Sequence, residues 1–236
     1  NISLIRGPIN SVTQIRLEGV KKAIPVIRKK IDLQEIQYNK MPNNLGYIKI
    51  NLFNQDTLQE LKYALTHLAD TEALIIDLRT NPGGLLFSSI QATALFLDTK
   101  EYPGGDITHV VSRHDHVQIP LPKDTLDQSH HKPIYILTSS ATASGAEIFA
   151  ATLKHYKRAT LIGTTTNGKG TIQTLLPLDD GSMIKLTTAY FTTPSGSTIN
   201  GVGVVPHYEI LPNDPALLPK VVKIIRHNLN STETYP

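Results

Sequence analysis

Apolar side chains at Leu58, Leu61, Leu65 and Leu68 fall three and four positions apart, the spacing of one face of a half-buried helix. Asp56 or Thr57 stands where a cap for that helix belongs. On either side the pattern changes to short apolar runs, Gly46–Ile50 before it and Ala73–Leu78 after it, which read as strands. The second run is broken by Asn81-Pro82-Gly83-Gly84, and Leu85–Leu97 returns to helical spacing. Strand, helix, strand, helix predicts α/β layering. The alternation resumes with Pro133–Leu137 as strand, Gly145–Lys157 as helix and Ala159–Ile162 as strand. Thr171–Leu178 and Met183–Phe191 then read as two strands joined by a turn at Asp179-Asp180-Gly181. A last helix, Pro215–Asn228, carries Val221, Val222, Ile224 and Ile225 on its apolar side.

Two stretches carry little pattern: Tyr38–Asn44 reads as a polar link, and Gly104–Lys132 as loop with room for one strand. At the start, a turn at Gly7-Pro8 leads into two short strand-like runs, Val12–Leu17 and Ala23–Arg28, separated by Glu18-Gly19. Two strands alone are marginal, so this piece needs something to pack on. Its lysines and arginines (Lys21, Lys22, Arg28, Lys29, Lys30) read as a solvated face rather than a phosphate-binding one. The expected division is 1–34 as a small β segment, 35–211 as the core, and 212–236 as a C-terminal helix and tail.

Composition narrows the classes. At 236 residues, 40% hydrophobic and 18% charged, the chain has the length and make-up of a globular domain with a substantial core. With 23 basic and 20 acidic side chains the net charge of +3 is too mild to imply a nucleic-acid partner. The absence of cysteine excludes a disulfide framework and a thiolate metal site. No run approaches the roughly 18 apolar residues of a membrane span. The sequence begins at Asn1 with neither an initiator Met nor a signal peptide, and is expected to be a piece whose targeting segment is missing.

Ser144 sits where a small-residue loop after an apolar strand turns into a helix, near backbone N–H groups that suit a developing oxyanion. Ser144-Gly145-Ala146-Glu147 also matches a capping box, in which the hydroxyl would only cap the helix. Lys169 lies between glycines in Asn167-Gly168-Lys169-Gly170, a surround that suits a lysine threaded into a pocket. A lysine kept neutral by desolvation can serve as base for a serine without histidine. Gly163 to Lys169 also fits most of a phosphate-binding P-loop, but Gly170 stands where Ser or Thr should be, and a strand follows where a helix should open. His114-Asp115-His116 and His130-His131 fall in polar, pattern-poor sequence and read as exposed loop rather than as a zinc site. Asn81-Pro82-Gly83-Gly84 fits a plain turn, and equally a turn that aims N–H groups at a reacting carbonyl.

Seven segments, in order from about Leu45 to Pro206, resemble the carboxyl-terminal processing (tail-specific) proteases. They are Gly46–Ile50, Leu74–Leu86, Ala143-Ser144 with Glu147-Ile148, Gly168–Gln173, Lys185–Tyr190, Thr193–Gly196 and Gly201–Pro206. The resemblance implies an α/β fold, a crotonase/Clp-like peptidase core of stacked β-sheet and helices with a partial PDZ-like β segment at the N-terminus. It implies Ser144 as nucleophile, Lys169 as base, Gln173 positioning the lysine, and an oxyanion hole from Gly145 and one of the Gly83 and Gly84 amides. It further implies no metal or cofactor, polypeptide substrates with accessible C-terminal tails, and a place outside the cytoplasm, in periplasm or cell envelope. A homo-oligomer is compatible with it.

The sequence departs from the family pattern in places. Leu4–Ile27 resembles only the last part of a PDZ domain, without its carboxylate-binding loop. Gly145 replaces an expected alanine, His155 stands where an acidic residue is common, and His207 where Asp usually closes the last motif. Two rivals to an active endopeptidase follow: a silent peptidase-fold module that binds peptides or scaffolds an oligomer, and a latent one with Lys169 turned to solvent.

Overall fold

The computed structural model describes residues 7–29 and 35–232, so the expectations resting on Leu4–Arg6 and Lys30 lie outside the described residues. The chain divides into two compact units, Asn1–Gln34 and Glu35–Pro236. In the first, β1 (Val12–Ile15) and β2 (Ile24–Ile27) pair antiparallel, Val12 opposite Ile27.

The second unit runs β3 (Ile36–Met41), β4 (Leu45–Ile50), α1 (Thr57–His67), β5 (Ala73–Asp77), α2 (Leu86–Ala94), β6 (Asp106–Ser112), β7 (His116–Pro120), β8 (Ile134–Thr138), α3 (Gly145–His155), β9 (Ala159–Gly163), β10 (Thr171–Pro177), β11 (Met183–Thr192), β12 (Tyr208–Glu209) and α4 (Leu217–Thr232). Six strands form one sheet in the order β12-β9-β8-β5-β4-β3, parallel except for β3 at its edge. Both faces are covered, which is why β5 and β8 are buried along their whole length and apolar up to their last residues, Asp77 and Thr138. Leu74, Ile76, Ile134 and Ile136 pack in one core with residues of α1, α2 and α3. Their neighbours Ala73, Ile75, Tyr135 and Leu137 pack instead with Leu217, Val221 and Ile225 of α4. A second, antiparallel sheet has the order β10-β11-β6-β7.

Several elements differ from expectation for identifiable reasons. The polar link Tyr38–Asn44 lies largely in β3, an edge strand whose Gln37, Asn39 and Lys40 are exposed while its backbone pairs with β4. The pattern-poor stretch 104–132 holds two strands, β6 and β7, joined at Arg113–Asp115. Helix α1 is capped by neither expected residue: Asn54 Oδ1 accepts the N–H groups of Asp56 and Thr57 at 2.9 and 3.0 Å, and Thr57 Oγ1 accepts that of Asn54 at 2.8 Å. Helix α2 is shorter than Leu85–Leu97, ending at Ala94.

Candidate active site

Parallel strands deliver loops to one edge of their sheet. Here β5, β8 and β9, neighbours in the sheet, hand off the segments 78–85, 139–144 and 164–170 from their C-terminal ends. These segments carry the glycine turn, the serine and the lysine singled out in the sequence.

Asn81 is fully buried and clamps the first loop, its Nδ2 donating to Ile50 O at 2.9 Å and its Oδ1 accepting the Gly83 N–H at 2.8 Å. The Gly83 amide is therefore taken and is not free to hold an oxyanion. Gly84 bridges to the segment after β4: Phe53 N donates to Gly83 O at 2.8 Å and Leu85 N to Phe53 O at 2.7 Å. The Gly84 N–H points away from that bridge and has no acceptor among the described residues.

Ser144 opens α3 with φ 55° and ψ −121°, a backbone conformation rare for a residue with a Cβ and worth about 1–3 kcal/mol of strain. The capping-box geometry is in place: Glu147 Oε2 accepts the Ser144 N–H at 2.9 Å, and the Glu147 N–H, turned back to Ser144, donates to its carbonyl at 2.8 Å. The Gly145 N–H, one residue on, also has no acceptor among the described residues. Gly145 and Gly84 are close: a Cβ on Gly145 would meet Gly84 N at 3.8 Å and Ser89 Oγ at 3.0 Å. The glycine in place of alanine thus relieves a tight contact with buried Ser89.

Glu147 had no role in the sequence reading beyond the cap, and the structure gives it the central one. Fully buried, it accepts four hydrogen bonds. Oε1 takes Thr166 Oγ1 at 2.5 Å and Gly168 N at 2.7 Å; Oε2 takes Ser144 N and, at 2.8 Å, Lys169 N. One carboxyl group thereby ties the serine loop to the lysine loop. Thr166 Oγ1 accepts in turn from Val204 N at 2.7 Å, and Asn167 N donates to Thr142 O at 2.9 Å. With the Gly168 and Lys169 amides occupied and β10 following, the loop offers no phosphate cradle. Gly168 adopts φ +81°, and a Cβ on Gly170 would meet Asn200 N at 2.7 Å, so both glycines flanking Lys169 are required by the backbone.

Ser144, Gly145, Gly84, Lys169 and Gln173 line one cavity of about 300 Å³, with Leu85, Leu86, Ile148, Thr171, Ile172, Lys185 and Phe191. The cavity is open. Lys169 and Gln173 are exposed and Ser144 is half-buried. The side chains of Ser144, Lys169 and Gln173 make no hydrogen bond to one another among the described residues. The expected burial of the lysine is absent: Lys169 is exposed in the loop that leads into β10, an edge strand of its sheet. A larger cavity of about 390 Å³, between α3 and residues 193–205, shares no residue with this one. Among the described residues no three metal-binding side chains stand together. His116 lies in β7 against His109 rather than in a loop.

The model of peptidase family S41 matches residues 44–210, most of the chain. The chain belongs to this family. A carboxy-terminal-processing protease of Bartonella bacilliformis is 33% identical over 87% of this chain and 48% of its own length. A Staphylococcus aureus protein named "Probable CtpA-like serine protease" is 32% identical over 87% of this chain and 41% of its own. The chain thus spans about half the length of the curated relatives it matches. The structure of a photosystem II D1 C-terminal processing protease superposes with TM-score 0.72 at 26% identity, covering 92% of this chain and 60% of that one. The mixed α/β architecture is therefore that of S41 peptidases, a family of serine proteases that process carboxyl termini.

Two features of this S41 chain anchor the loops. His207 accepts at its Nδ1 the Leu161 N–H at 2.9 Å. Burial and then Lys154 lower its pKa, which favours the neutral ring that this bond needs. At the end of β5, buried Asp77 accepts Arg79 Nη2 at 2.6 Å and Tyr47 OH at 2.7 Å. Burial alone would raise the Asp77 carboxyl, but the bonds from Arg79 and Tyr47 outweigh it and hold its pKa below the usual range. A lowered folded pKa contributes stability above the unfolded value, near 3.9, that is lost as pH falls through the folded one. Urea midpoints of the native chain and Asp77→Asn are expected to converge below about pH 4. A constant gap between them from pH 7 to pH 2 would contradict this.

Proposed function

We propose that this chain is the catalytic part of a serine endopeptidase that uses Ser144 and Lys169 in an acyl-enzyme mechanism. The observation that carries the reading is a single cavity holding the strained Ser144, the acceptor-free amides of Gly84 and Gly145, and Lys169. Ser144 Oγ attacks the peptide carbonyl carbon while neutral Lys169 takes its proton, and the Gly84 and Gly145 N–H groups hold the developing oxyanion. The C–N bond breaks as Lys169 gives that proton to the leaving amine. Water, deprotonated by Lys169, then attacks the ester, releasing the new carboxyl terminus and restoring Ser144. Gln173 orients the lysine from the start of β10.

The open cavity assigns a further task to the substrate: a polypeptide lying over it excludes water from Lys169 and supplies the missing burial. For the whole protein we propose substrates with accessible C-terminal tails, an extracytoplasmic location, and a PDZ-like role for residues 1–34. No helix among the described residues is long and apolar enough to cross a membrane. The exposure of Lys169 and Gln173 favours a second reading, a latent core that binds peptides without cutting them.

A fluorophosphonate probe with peptide mapping, beside a casein gel at about pH 8, separates the readings. The expected outcome is an adduct on Ser144 and casein cleavage, both lost in Lys169→Ala. An adduct elsewhere, or cleavage that survives Lys169→Ala, would sink the assignment. Casein binding with neither adduct nor cleavage would establish the latent core.

A further inference from the structure

The cavity contains a charge for which the reaction has no use. Across the β10–β11 hairpin Gln173 pairs with Thr187 and Leu175 with Lys185, which puts these four side chains on one face. The Thr174 and Thr188 hydroxyls meet at 2.8 Å on the other face. Gln173 and Lys185 accordingly both line the Ser144 cavity. Of the twelve residues around it, Lys169 and Lys185 are the charged ones, and no carboxylate faces them. Lys185 has no hydrogen-bond or ion-pair partner among the described residues. In this it resembles other exposed lysines such as Lys62 and Lys100 and differs from Lys132, Lys154, Lys40 and Lys220, which hold acceptors; what sets it apart is its place in the wall of the Ser144 cavity.

Lys169 is neutral when it acts as base, so Lys185 is the standing positive charge beside the scissile bond. The anions a polypeptide offers are its Asp and Glu side chains and its terminal carboxylate. Once the substrate covers the cavity, an ion pair there is shielded from water and gains strength. We propose that Lys185 is a specificity-determining residue that receives a substrate carboxylate near the bond being cut. This rests on the peptidase reading and adds the chemical class of substrate it selects.

The test uses quenched fluorescent peptides that are uncharged and amidated, with one Glu or Gln moved through the three positions on either side of the bond. A matched peptide ending in a free carboxylate reports the terminal source. At one position the native chain is expected to favour the carboxylate by about three- to tenfold in kcat/KM, mainly through KM. The ratio falls to about one in Lys185→Met, persists in Lys185→Arg, and inverts toward a lysine-bearing peptide in Lys185→Glu. Preference for Glu or for the free terminus identifies which carboxylate is read. Equal ratios in the native chain, Lys185→Met and Lys185→Glu would overturn the proposal. Fluorescence anisotropy of the same peptides on a Ser144→Ala chain, with and without Lys185→Met, reads the preference even where nothing is cleaved. No preference for carboxylate there overturns the proposal independently of whether the chain is a peptidase.

Discussion

A Glu147→Ala chain is expected to lose measurable cleavage together with much of its stability. The substitution strands four donors at once: the amides of Ser144, Gly168 and Lys169 and the hydroxyl of Thr166. Each donor left unsatisfied in a buried place costs about 1–3 kcal/mol, so the sum is a large share of the 5–15 kcal/mol that holds a typical domain folded. The loss is also geometric, because no other residue among those described bonds to both Ser144 and the backbone of Lys169. Glu147→Gln keeps the shape but turns an amide NH2 toward two of those donors, and is expected to fall between the native chain and Glu147→Ala. Urea unfolding with hydrogen exchange at Gly168 and Lys169 measures this. An unchanged midpoint and unchanged exchange in Glu147→Ala would show the tie to be dispensable.

The second large effect is expected at Gly84. Its φ of +137° is rarely adopted by residues with a side chain, and a Cβ there would lie 2.0 Å from the Phe53 carbonyl oxygen. Backbone has to move to accept Gly84→Ala, and what moves is the amide proposed to hold the oxyanion. Removing one such donor costs about 10²- to 10³-fold in kcat. The expected signature is therefore a kcat loss of at least that size with a smaller change in KM. Gly181→Ala is the control: also at positive φ, but with nothing within 4 Å of the added carbon and at the far end of the β10–β11 hairpin. If both variants lose the same small amount of activity, the Gly84 amide is not a catalytic donor.

Much of this was legible in the chain because buried parallel strands and half-buried helices write strong patterns. Ala73–Ile76 and Ile134–Leu137 are apolar runs, and Leu61 and Leu65 mark the buried side of α1. Strand β3 was not legible, because an edge strand owes its place to backbone pairing and leaves every second side chain polar. At the site, Ser144 and Lys169 were marked by their glycine and small-residue surroundings. The choice between the Gly83 and Gly84 amides was not, since it depends on where the Asn81 side chain turns after folding. Glu147 was visible as the fourth residue of a capping box and assigned the lesser role. Its other three donors come from 19 to 22 positions further along, a distance that no local motif spans. The exposure of Lys169 was equally hidden, because it is set by the folded surroundings of the loop and not by its neighbours in sequence.

The site's dependence on Glu147 and Val204 also has a meaning in time. A chain emerging from the ribosome presents Ser144 first, but at that moment the Glu147 carboxyl lacks the Thr166, Gly168 and Lys169 donors that complete its set. Thr166 is itself held by the Val204 amide, which is made later still. A translation product stopped short of Val204 therefore has Ser144 without the complete set of bonds that places Lys169. Ser144 and Lys169 are thus brought together only after synthesis has passed Val204, so the site is assembled by the completed fold and not by any one loop.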